Sequence, residues 1–65
     1  MVILTWQARK SKNVTLEKLA KLTGIGKSTL NYIDNGRLSP TMNQMELIAK
    51  ALGVRISDLY ESECK

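Results

Sequence analysis

Lys27, Ser28, Asn31 and Tyr32 stand at i, i+1, i+4 and i+5, a spacing that puts all four near one face of a helix. Their side chains share one kind of chemistry. A lysine ammonium can donate to guanine O6 or N7, a serine hydroxyl can pair with several base edges, and an asparagine amide can bridge adenine N6 and N7. A tyrosine ring can pack on a thymine methyl, or its hydroxyl can donate to a phosphate. Together the four are candidates for reading base edges in a DNA groove. Plainer roles stay open: Lys27 can touch only a phosphate, Ser28 can serve as a helix-start residue, and Tyr32 can lay its ring on the core edge. Thr29 is expected to pack inward or to bond to the backbone.

The element that must hold these residues is a short helix from about Lys27 to Asn35. It stops at Asn35-Gly36, since both residues tolerate the left-handed conformation. Leu30 and Ile33, three apart, face the core and orient it. A second helix precedes it and begins after Thr15, a good N-cap. Its capping box is incomplete, because Lys18 sits where Glu or Gln would reach back. Leu16, Leu19, Ala20 and Leu22 give it an apolar face. Ala20 lies where the two helices cross closely, Gly24 supplies a turn with positive φ, and Ile25 plugs the turn from below. Thr23 holds a place where a pure hydrophobe would suit better, although its methyl can serve. Two helices joined at Gly24 over about residues 15–36 form the pattern of a helix-turn-helix, in which one helix braces and the next enters a groove. An ordinary αα-hairpin without a nucleic-acid role would use the same anchors.

Three further helices complete the chain. The first covers roughly Leu4 to Lys12, with Thr5 as the cap of a later start, and β-leaning Val2, Ile3 and Leu4 lead into it. The fourth follows Thr41, with Gln44 completing a capping box. It buries a stripe of Met42, Met45, Ile48, Ala49 and Leu52 at helical spacing and ends at Gly53. The fifth is a short turn after Ser57 that carries Leu59 and Tyr60. No run alternates over enough residues to make a sheet, so the expected class is all-α, one five-helix domain over residues 1–65.

Composition narrows the function. A chain of 65 residues buries only about 60% of its unfolded surface, enough for one small core and a surface site but hardly a deep substrate cavity. The net charge is +4, which favours a polyanionic partner. Residues 1–40 carry seven Lys or Arg against two acids, and residues 41–65 carry three against four. The positive charge therefore sits in the half that holds the helix-turn-helix. General solubility is the bland reading of that excess. The one cysteine, Cys64, can form neither an internal disulfide nor a metal site, and no metal or cofactor is expected. A small domain without staples fits a reducing cytoplasm. Met1 to Leu4 is too short for a signal peptide core or a membrane span. There is no histidine and no carboxylate pair in an evident pocket, so catalysis is not expected. GIGKST is superficially like a phosphate-binding loop, but GxxxxGK[ST] spacing is absent and no strand precedes it. Trp6 reads as a packed or half-exposed anchor.

The chain resembles the Xre family, the helix-turn-helix class of phage repressors and Cro proteins. The resemblance rests on Arg9, Thr15, Leu19-Ala20, Gly24-Ile25, Ser28-Thr29-Leu30, Ile33-Asp34-Asn35-Gly36, Ser39-Pro40-Thr41 and Ile48 to Val54, in order and spacing. It implies a compact five-helix domain that binds operator DNA as a two-fold dimer. It also implies phosphate contacts from Thr15, Asn35 and Arg37, which position such a domain without specifying sequence. Asn35 can equally be a helix cap alone, and Arg37 a solvated loop residue. An ion pair between Arg9 and Asp34 is implied too, fixing the angle of the reading helix. Two positions depart from the family pattern. Leu16 stands where Gln often holds a phosphate, and Gly26 where Ser or Thr often caps the third helix. Lys18, Lys21 and Lys27 are expected to compensate with charge.

The resulting expectation is a sequence-specific, double-stranded DNA-binding transcription regulator, a repressor acting as a homodimer on a palindromic operator. No small-molecule effector or membrane partner is expected. Without a separate dimerisation domain, the dimer face is expected at Leu52, Val54, Ile56, Leu59 and Tyr60, with Val2 to Leu4 as second choice. The alternative is an antitoxin-like or adaptor module that uses the same fold for protein contacts.

Overall fold

Thr15 and Thr41 each open a helix in the same way. Their backbones are extended (ψ 161° in both), and their hydroxyls accept the N–H three residues on, from Lys18 at 3.1 Å and from Gln44 at 3.0 Å. Gln44 Oε1 in turn accepts the Thr41 N–H at 2.9 Å, completing the capping box. A computed structural model describes residues 1–65. Its elements run β1 (Val2–Ile3), α1 (Thr5–Ser11), α2 (Leu16–Thr23), α3 (Lys27–Asp34), α4 (Met42–Leu52), a 3₁₀ helix (Ile56–Leu59) and β2 (Tyr60–Glu61). The class is all-α with a central helix-turn-helix. In place of a fifth helix after Ser57 there is a 3₁₀ turn that already starts at Ile56 and gives Tyr60 up to β2; Asp58 Oδ2 accepts the Arg55 N–H at 3.0 Å and fixes that earlier start.

The core is built almost entirely of aliphatic side chains. Leu19 of α2, Leu30 of α3, Met45, Ile48, Ala49 and Leu52 of α4, and Leu59 pack into one buried cluster, with Ala20 and Ile25 against it. Ile33 is also fully buried. Sealing a Leu or Ile side chain from water contributes about 1.5–3 kcal/mol, so these residues dominate the fold's stability.

Several expectations need correction. A small sheet exists: β1 and β2 pair antiparallel, Val2 opposite Glu61 and Ile3 opposite Tyr60. Two residues per strand are too few to show alternation in the sequence. Thr5 does not cap α1. It is buried inside the helix (1% exposed) and its hydroxyl donates to Asp34 Oδ1 at 2.7 Å. Leu4 occupies the cap position instead, with no side-chain cap bond, and its N–H donates to Leu59 O at 2.8 Å. Leu22 is not part of the inner face of α2, and Met42 is not core; they are 54% and 68% exposed. Met42 is the first residue of α4 and lines an open surface groove, while Met45 one turn on is buried.

Leu52 and Leu59 are corrected in the same way. At 5% and 0% exposure they are interior residues of one copy and have no surface to offer a second. The 3₁₀ helix folds Leu59 under α4 instead of leaving an apolar C-terminal patch. Of the expected dimer face, Val54, Ile56 and Tyr60 remain half-buried and available.

Candidate nucleic-acid interface

The placement of α3 begins with Arg9. Its Nε and Nη2 donate to Asp34 Oδ2 at 3.2 and 3.1 Å, while Nη1 donates to the Val14 carbonyl at 3.0 Å. Thr5 takes the other carboxylate oxygen. Arg9 is 8% exposed, so both charges are largely withdrawn from water. Such a pair persists only because each polar atom has a partner, and no buried side-chain nitrogen or oxygen in the chain lacks one. One guanidinium thus joins α1, the loop leading to Thr15, and the end of α3. This sets the angle of α3 and the position of the α2 N-terminus together.

The turn between α2 and α3 is held by two residues. Gly24 takes φ +75°, a conformation that costs an L-residue roughly 1–2 kcal/mol. Thr23 uses its hydroxyl twice, donating to Leu19 O at 2.7 Å and accepting the Ile25 N–H at 3.1 Å. Thr23 therefore replaces a lost helical bond with a side-chain one and starts the turn, a role its hydroxyl suits better than a hydrophobe would.

On α3, Leu30 and Ile33 are buried at 1% and 0%, and this orientation turns Lys27, Ser28, Asn31 and Tyr32 outward, all exposed. Thr29 is half-buried between the two faces. Thr15, Lys18 and Lys21 are exposed on α2 and its cap, and Asn35 and Arg37 beyond α3. Arg37 is not free to wander at its root: its N–H and that of Leu38 both donate to the Tyr32 carbonyl, at 2.9 and 3.2 Å. Gly26 caps α3 without a side-chain bond. No other large apolar side chain on the outer face of α3 is exposed besides Tyr32. The face can therefore offer donors and acceptors to base edges, with cationic and amide groups at its margins for phosphates.

One contact on this face had no signal in the sequence. Lys27 Nζ lies 3.2 Å from Glu17 Oε2, with both side chains more than half exposed. The pair crosses from the start of α2 to the start of α3. Ten residues of separation match no single-helix spacing, so only the crossing of the two helices brings the partners together. The Glu17 carboxyl is held below its ordinary value of 4.5, first by its own backbone N–H at the start of α2 and then by the hydrogen bond and charge of Lys27.

Comparison with known proteins places this geometry. The family model described as helix-turn-helix matches residues 7–59. An uncharacterized HTH-type transcriptional regulator of Methanocaldococcus jannaschii is 36% identical over 52 residues, covering 80% of this chain and 79% of that protein. Another, from Methanothermobacter thermautotrophicus, is 34% identical over 61 residues, covering 92% and 88%. Among solved structures, the restriction-modification controller protein C.AhdI from Aeromonas hydrophila superposes with a TM-score of 0.81 at 23% identity, covering 86% of this chain and 85% of that one. With the buried ion pair of Arg9 and Asp34, the Gly24 turn and an outward polar α3 all within the matched span, the chain belongs to the helix-turn-helix family of the Xre type.

Proposed function

We propose that this protein is a sequence-specific, double-stranded DNA-binding transcription regulator, a repressor that acts as a homodimer on a palindromic operator. The observation that carries the reading is the division of α3 into a sealed side, Leu30 and Ile33, and an open side, Lys27, Ser28, Asn31 and Tyr32. In this reading the open side enters the major groove, and Lys27 donates to guanine while Asn31 meets adenine. Thr15, Lys18, Lys21, Asn35 and Arg37 bind phosphates on either side. The relatives described as transcriptional regulators support it. The action is binding alone: occupancy of a promoter excludes or recruits other factors, with no chemical step.

The longest extent of the chain is 31 Å, and half-sites read from one side of a duplex lie about 34–36 Å apart. Two copies occupy such half-sites in this reading, meeting through Val54, Ile56 and Tyr60. Selection of bound sequences from random duplexes, followed by affinity against salt, tests it. A palindromic site with a steep salt dependence is the expected result. No enriched sequence would overturn it. That outcome would favour the second reading, a protein-interaction module, for which a groove of about 290 Å³ lined by Met1, Ile3, Pro40, Met42, Met45 and Tyr60 supplies a surface.

A further inference from the structure

Glu17 is an acid placed among the groups that should meet DNA. It occupies the second position of α2, beside the Thr15 cap, where helix amides and a positive dipole end would otherwise draw a phosphate. Its carboxylate reaches across to Lys27, the first residue of α3. The leading cation of α3 is thus engaged by an internal anion seated on the first turn of α2. A duplex approaching without regard to sequence brings only phosphates, and these are repelled by Glu17 while they compete with it for Lys27. A base edge carries no net charge. The lysine ammonium has three donors, of which the carboxylate takes one, leaving two for guanine O6 and N7 without breaking the pair.

We propose that Glu17 is a specificity-determining residue of this interface: by holding Lys27 across the helix crossing, it withholds that lysine from phosphates and leaves it available to a guanine edge. The inference rests on the DNA-reading function proposed above. Its effect lies in the ratio between selected and random DNA, which distinguishes it from a carboxylate that merely weakens all binding.

The test uses the whole chain, with the duplex recovered by selection and a random duplex of equal length as probes. Glu17→Gln keeps the shape and removes the charge, and circular dichroism melting verifies that the variant is folded. For the random duplex, affinity is expected to rise about fivefold, the size of one unit-charge interaction at a hydrated surface. Its salt slope is expected to steepen by about 0.9, one phosphate contact more. Affinity for the selected duplex is expected to stay nearly constant, so the ratio falls. In a Lys27→Met background the same substitution should lose most of this effect. An equal rise on both duplexes, or a rise that persists without Lys27, overturns the proposal while leaving DNA reading intact. Absence of any selected sequence for the unaltered protein overturns both.

Discussion

Asp34 is the residue whose loss should cost the fold most for its size. Asp34→Ala would strand the Arg9 guanidinium in a site where it is 8% exposed and would remove the acceptor for Thr5. Leaving one member of a buried pair uncompensated costs about 3–5 kcal/mol. That is a large part of the stability of a chain this length, at roughly 0.05–0.15 kcal/mol per residue. Urea unfolding is expected to show a strongly lowered midpoint, partly recovered when Arg9→Met accompanies Asp34→Leu. An unchanged midpoint would mean that two independent surface charges were being read as a pair. Glu17 behaves differently, because it is exposed and its carboxyl is held below 4.5 in the folded chain. A depressed folded value means that its contribution is complete above about pH 4.5 and is lost as pH falls through the folded value. The stability difference between the unaltered protein and Glu17→Gln should therefore be constant near neutrality and shrink under acid, as denaturation at stepped pH would read. Arg9 and Asp34 were paired in the sequence only through family resemblance. Nothing in their spacing, or in that of Glu17 and Lys27, points to contact, because both pairs meet through helix crossings that sequence distance does not encode.

Helix ends carry most of what was legible at the level of elements. Thr15, Gly24, Thr41 with Gln44, and Gly53 each act locally, through a hydroxyl, an amide or a permitted φ, and local chemistry can be read from neighbouring letters. Thr23 shows where this stops: from the sequence it reads as a stand-in for a hydrophobe, because its hydroxyl bridging Leu19 and Ile25 depends on the chain already having turned. Thr23→Val should leave the Ile25 N–H without its acceptor and cost about 1–3 kcal/mol, measured as a fall in unfolding free energy. An unaffected stability would show that the hydroxyl contributes nothing at the turn. The start of α3 invites the opposite change. Gly26 has φ −59°, and an added Cβ would meet only Thr29 Oγ1, at an ordinary 3.8 Å. Gly26→Ser should therefore stabilise the helix by a few tenths of a kcal/mol, the usual advantage of Ser over Gly at an N-cap, and add a phosphate donor. Thermal melting should show a small rise, and DNA binding should strengthen on selected and random duplexes alike.

Across the whole molecule, burial decides which apolar residues hold one copy together and which can join two. Leu59, fully enclosed, belongs to the first kind, and Leu59→Ala should cost about 2–5 kcal/mol at any protein concentration. Ile56, half-buried on the 3₁₀ helix, packs against the core with one side and offers the other to a second copy in the proposed dimer. Ile56→Asp should reduce self-association in sedimentation equilibrium, read at a temperature where circular dichroism shows the variant folded, since Ile56 also packs against the core. Retained self-association would move the dimer face elsewhere, with the segment from Val2 to Leu4 next. The sequence misassigned Leu52 and Leu59 because an apolar tail looks the same whether it folds back or lies open. What folds it back is the closure at Leu4 and Leu59, continued by the pairing of Val2 with Glu61 and Ile3 with Tyr60. This closure sets an order of events during synthesis. A ribosome makes chain from the N-terminus at about 5–20 residues per second, so Val2 and Ile3 must wait for every element between them and Tyr60 before their partners emerge. The helix-turn-helix can gather while translation continues, but the clasp that encloses Leu59 closes only after Tyr60 and Glu61 have emerged, and a nascent chain stalled at α4 would hold α3 on an unfinished core.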